Sequence, residues 1–209
     1  VKTYRFYQVR CKVKILIIHP KDPSTDFLKL TYDSTEHSLL NHPEHTVKVI
    51  QYYNGNKSAL RQEMKNYDKI IMMGHGTPEG LLEPSKFFQF HTHDDEWDSN
   101  GYIVDDSFAD ILRTKDTISI WCNSDQYFKH NNIPGLHTGM IISEVAEAQF
   151  VLGQTPLNKE ETLLNMLLFA KSIGPVILEK PEVIKETILK NYDFPDPVTQ
   201  FNRNNIIIL

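Results

Sequence analysis

Apolar positions along this chain fall into short runs separated by polar, helix-patterned stretches, and the alternation predicts the architecture. Val13 to Ile18 is a β-branched run of strand length that stops at His19-Pro20-Lys21-Asp22-Pro23, where turn chemistry takes over. A helix is expected within Phe27 to Leu40, then a strand over Thr46 to Tyr53 that ends at Asn54-Gly55. Asn56 is placed to cap a helix that puts Leu60, Met64 and Tyr67 on one face, and this helix leads into the run Lys69-Ile-Ile-Met-Met-Gly74-His75-Gly76. The order β-α-β-α-β with short connections predicts an α/β fold, a doubly wound, mainly parallel sheet with helices on both faces and a flavodoxin-like topology.

Residues 77–101 break this rhythm and read as an excursion beside the sheet edge, with hairpin character. Asp105 or Asp106 then caps a helix through Phe108, Ala109, Ile111 and Leu112, which returns the chain to the strand Thr117-Ile-Ser-Ile-Trp121-Cys122. Gly139 to Ile142 reads as a fifth strand, followed by a helix through Val145 to Val151. Asn158-Lys-Glu-Glu161 has the form of a capping box, and it opens a helix whose Leu163, Leu164, Leu167 and Leu168 form a broad apolar face. Pro181 to Lys190 is a further helix, and Ile206 to Ile208 adds a strand. The expected organisation is one α/β domain over 1–209, with a helical C-terminal part at about 157–192.

Composition narrows the function classes. The 209 residues are 40% hydrophobic, enough for a sizeable core, and the net charge of −5 supplies no general attraction to nucleic acid or anionic membranes. Neither is expected as a partner. Two cysteines, Cys11 and Cys122, exclude a disulfide-dense scaffold or a multi-cysteine zinc site and suggest a reducing, cytoplasmic setting. No apolar run reaches the roughly 20 residues of a membrane span. The first residue is Val rather than Met, which leaves room for a processed start.

Two of the apolar runs deliver reactive side chains. Buried parallel strands ending at His75 and Cys122 would bring an imidazole and a thiol to the C-terminal edge of one sheet, where α/β proteins hold their ligands. A thiol attacks a carbonyl as thiolate, so it needs a base such as His75. The backbone N–H groups of Gly76 and Cys122 could stabilise the developing oxyanion. Gly74, Gly76 and Gly80 allow tight turns and close approach of a substrate.

With these motifs the chain resembles the caspase-like cysteine peptidase clan, which includes caspases, metacaspases, gingipains, separase and CHAT domains. The resemblance covers about residues 12 to 150: a hydrophobic strand ending in Gly74-His75-Gly76, the segment Tyr102-Ile-Val-Asp-Asp-Ser-Phe-Ala-Asp-Ile-Leu112, and a second strand ending in Cys122, 47 residues after His75. It implies Cys122 as nucleophile, His75 as proton shuttle and Gly76 as oxyanion donor, in a hydrolase acting on a peptide or protein without cofactor or metal. The clan carries a small residue before its cysteine, and here Trp121 stands there. Lys21, Gly74 and Ser124 are the candidate substrate-binding residues.

Two other function classes are open on the sequence. One is a non-catalytic member of the same fold, an interaction or sensor module in which His75 and Cys122 are structural. The other is a metal-dependent hydrolase centred on His91 and His93, whose i, i+2 spacing on a strand would aim both rings the same way beside the acidic stretch Asp94 to Asp98. Gly74-His-Gly-Thr is not followed by Gly-Lys-Ser or Gly-Lys-Thr, so the chain has no P-loop there.

Overall fold

The α/β expectation corresponds to what the chain forms. A computed structural model describes residues 12–21, 26–53, 55–84, 101–153 and 157–209. Cys11, His91 and His93, with the acidic stretch after them, lie outside the described residues. The main sheet contains β1 (Lys14–Ile18), β2 (Thr46–Ile50), β3 (Lys69–Met73), β7 (Asp116–Ile120), β8 (Leu136–Thr138) and β9 (Ile206–Ile208), in the spatial order β2-β1-β3-β7-β8-β9. The first five are parallel and β9 is antiparallel. A second, antiparallel sheet is built by the excursion from β4 (Gly76–Thr77), β5 (Gly80–Leu82) and β6 (Tyr102–Val104).

Period-two alternation explains how the central strands hold two helical layers. Ile15, Ile17, Ile71, Met73, Ile118 and Ile120 face one side, where they meet α1 (Asp26–Leu40), α6 (Lys159–Ile173) and α7 (Pro181–Asn191). Leu16, Ile18, Ile70 and Met72 face the other, against α2 (Lys57–Lys65), α3 (Ala109–Leu112) and α4 (Ser124–His130). The chain thus switches faces between β1 and β3, leaving a crevice beyond the strand ends.

Capping residues start helices where the sequence indicates. Asn56 Oδ1 accepts from the Ala59 N–H at 2.9 Å, and Asn158 and Glu161 close a reciprocal capping box at the start of α6. Asp105 accepts from the Ser107 N–H and opens a short 3₁₀ turn ahead of α3.

Three expectations are corrected. Gly139 to Ile142 is not a strand: β8 lies just before it, and 139–142 is the loop leading to α5 (Val145–Leu152). The Thr46 strand ends at Ile50 rather than Tyr53. On α6 the inward face is Thr162, Asn165, Met166, Phe169 and Ile173, while Leu163 and Leu164 are exposed. The turn of this helix follows a buried polar network. Asn165 donates to Thr199 Oγ1 and accepts from the Tyr192 hydroxyl, and Thr199 is held by Asp196, the cap of α8 (Pro197–Asn204). Asn202 on α8 brackets Ile142, accepting its N–H at 2.7 Å and donating to its carbonyl at 2.9 Å. Because each group finds a partner, the network fixes the Ile142 loop instead of destabilising the core.

Candidate functional site

The strand register brings the expected pair together. Lys69 of β3 faces Asp116 of β7, a separation of 47 residues, and the same offset runs to Met73 and Ile120. Two residues further on, that offset relates His75 to Cys122. The ladder extends past the strands, since the Gly74 N–H donates to the Ile120 carbonyl at 3.2 Å. Residues two beyond Met73 and Ile120 belong to the face covered by α1.

His75, Gly76 and Cys122 line one cavity at this edge, together with Leu28 of α1, Gly74, Ile120, Trp121, Ile141 and Glu147. It measures about 30 Å³, room for a water or two. A larger concavity of about 470 Å³ around Asp193, Phe194 and Arg203 is open to solvent, and its arginine is paired with Asp193. It offers no thiol, hydroxyl or imidazole, and its one carboxylate is paired with Arg203, so the small cavity is where the candidate chemistry is concentrated.

The backbone of Gly76 is held in a defined direction. The Leu82 N–H donates to the His75 carbonyl at 2.9 Å, which makes Gly76 and Leu81 the non-hydrogen-bonded pair of the β4–β5 ladder. The Gly76 N–H therefore points away from β5. Trp121 explains why this position must be glycine: a Cβ on Gly76 would lie 2.1 Å from the indole Cδ1. The ring is buried, packs on Tyr127 and Phe128, and donates its Nε1–H to the Thr77 carbonyl at 3.3 Å. At the other end of the hairpin Gly80 has φ +149°, and a Cβ there would meet the Val104 carbonyl at 2.0 Å.

Cys122 as a residue is partly exposed, while its thiol is enclosed. Burial pushes the thiol up to about 11, against which the Ile141 N–H favours the thiolate; the Glu147 carboxylate pushes it further up. Glu147 closes the capping box of α5, its Oε2 accepting from the Ser143 N–H (2.7 Å), the Ser143 hydroxyl (2.9 Å) and the Glu144 N–H (3.1 Å). Sequence reasoning missed Glu147 and Ile141 as pocket residues. The signal for Glu147 was a Ser-Glu-x-x-Glu helix start, which by itself denotes a cap.

The other candidates occupy different places. Ser124 is fully buried, donates to the Thr138 carbonyl at 2.8 Å and accepts the Thr138 N–H at 2.9 Å, so its hydroxyl ties the start of α4 to β8. Asn123, in the left-handed region at φ 65°, makes the sharp turn that puts it there. Lys21 is exposed beside the end of β1, with its Nζ 6.0 Å from the Tyr52 ring centre. His19, directly after the same strand, is buried, stacks on Tyr32 with ring centres 5.1 Å apart, and is held below the usual imidazole range by that burial. Among the described residues no helix is long and apolar enough to cross a membrane. No protein-family model and no curated protein matches the chain in sequence.

Proposed function

We propose that the chain is a caspase-like cysteine hydrolase acting on peptides or proteins, with Cys122 as nucleophile, His75 as proton shuttle and Gly76 as oxyanion donor. The observation that supports this reading most strongly is the shared register offset of 47 residues, which relates His75 to Cys122 on adjacent parallel strands, with both lining one cavity. Its chemistry balances without a cofactor. The Cys122 proton passes to His75, the sulfur bonds to the carbonyl carbon, and the carbonyl π pair moves onto oxygen, stabilised by the outward Gly76 N–H. Collapse breaks the C–N bond, with His75 protonating the departing amine. Water then hydrolyses the thioester with His75 as base. A cavity of about 30 Å³ cannot hold a peptide, so this reading has substrate reach Cys122 from the strand ends. A reducing cytoplasmic setting suits a free thiol of this kind.

The second reading, a non-catalytic interaction or sensor module of the same fold, is favoured by one observation: the thiol is held protonated, with Glu147 opposing its ionisation. Hydrolysis of a mixture of reporter peptides separates the two. The enzyme reading expects turnover that drops about 10³-fold or more in Cys122→Ala. Equal turnover in that variant would refute the assignment, and no turnover of any peptide would favour the second reading.

A further inference from the structure

At the opposite edge of the sheet, the turn between α1 and β2 assembles three ligand-type side chains. The His45 N–H donates to the His42 carbonyl at 3.0 Å, and Pro43 takes the second turn position, for which its fixed φ is suited. His42 and His45 thus stand at the first and fourth positions, with ring centres 5.9 Å apart. Glu44 Oε1 lies 3.2 Å from His42 Nδ1 and 3.8 Å from His45 Nε2, and one ligand atom from each residue falls within 4.8 Å of the other two. The His45 side chain is 6% exposed, so the cluster has one buried wall.

We propose that His42, Glu44 and His45 form a binding site for a divalent transition-metal ion of the zinc, cobalt or nickel type. Two imidazoles and a carboxylate are a donor set for such ions, whereas calcium and magnesium call for more oxygens. Ligands about 2.0–2.1 Å from a tetrahedral ion lie roughly 3.3 Å from one another; the 3.2 Å from Glu44 to His42 meets this, and the 3.8 Å to His45 closes on binding. Water completes the shell on the solvent side.

The ion ties the three residues of the turn together and takes no part in bond cleavage. Thr46 opens β2 beside Lys14 at the start of β1, so the turn lies at the N-terminal edge, across the sheet from the Cys122 cavity. In the metal-free chain one hydrogen bond joins His45 to the residue before β1. The Val13 N–H donates to His45 Nδ1 at 3.1 Å, which leaves the proton of the neutral ring on Nε2. Coordination through Nε2 transfers that proton to Nδ1, and the Val13 N–H gives up its acceptor. Metal uptake is thereby coupled to the backbone entering β1.

Zinc titration of the full chain by calorimetry, with the Val13 amide followed by NMR, tests the site. The expected result is saturation at one ion per chain, roughly tenfold or more weaker binding in His42→Ala and in His45→Ala, a shift of the Val13 amide signal, and wild-type affinity in His91→Ala/His93→Ala. His42 is partly exposed, so its variant keeps the test readable if the His45 variant fails to fold. Undiminished affinity in His42→Ala, binding lost in the His91/His93 variant, or no saturable uptake up to millimolar zinc would each overturn the proposal.

Discussion

Trp121→Ala is expected to lower the free energy of unfolding by about 3–5 kcal/mol, the range for removing a buried aromatic ring from a core that relaxes only in part. The indole is 2% exposed, contacts Tyr127 and Phe128, and supports β4 through the Thr77 carbonyl. The same ring occupies the space a side chain at Gly76 would need. Gly76→Ala alone is therefore expected to cost about 1–3 kcal/mol from overpacking. In the Trp121→Ala background most of that cost should vanish. Denaturant unfolding of the four proteins closes the cycle: strong coupling between the two sites is expected, and additive losses would show that the indole does not support β4. A bulky residue before the cysteine, the departure from the clan's usual small residue, thus has a physical role in holding the segment that carries Gly76.

The second large effect concerns pH. His137 on β8 is fully buried, its ring stacks on Phe128 with centres 3.8 Å apart, and Nδ1 lies 2.8 Å from the Ser119 hydroxyl. The Ile133 backbone is the one group that favours its charged form, and burial outweighs it. Burial pushes this imidazole down to about 3 from its ordinary 6.5, so the folded chain holds it neutral while the unfolded chain protonates it. The contribution is complete above pH 6.5 and is lost as pH falls towards 3. The slope approaches about 1.4 kcal/mol per pH unit, or about 2–3 kcal/mol between pH 6 and pH 4. His19, also buried and shifted down, adds in the same direction, so the test is a difference. Replacing His137 by Phe together with Ser119→Ala, which leaves no hydroxyl unpaired, should flatten the stability curve by that amount over the same range. Parallel curves for wild type and variant would show that His137 is not buried neutral.

How much of this was legible in the sequence depends on whether a feature is local. β1, β3 and β7 were readable because strands covered on both faces are nearly continuous apolar runs. The caps at Asn56, Asp105 and Asn158 were readable because a cap is a local hydrogen bond. The inward face of α6 was not, because Asn165 is buried against Thr199 and Tyr192, about 30 residues away, while Thr162 returns its hydroxyl to the Asn158 carbonyl, and a pattern of four leucines outweighed them. α8 escaped although Asp196 caps it locally, because its buried Asn202 looks like a surface residue until Ile142, 60 residues away, is placed beside it. β8 is three residues long and contains a buried histidine, so the more apolar Gly139 to Ile142 drew the strand assignment. At the site, strand periodicity indicated His75 and Cys122, while Glu147 and Ile141 arrive through the tertiary placement of α5 and its loop.

The proposed activity rests on His75 acting on the Cys122 sulfur. A thiol pushed up to about 11 carries almost no thiolate at neutral pH, so it reacts slowly with a small electrophile unless a base takes its proton during the attack. The most direct measurement is the rate constant for carbamidomethylation of Cys122 by iodoacetamide, from pH 6 to pH 11, in wild type and His75→Ala. With His75 as base, the wild-type rate at pH 7 is expected to exceed the variant's by about tenfold or more, the two converging as the thiol ionises by itself at high pH. Superimposable profiles, rising only towards pH 11 in both proteins, would contradict it.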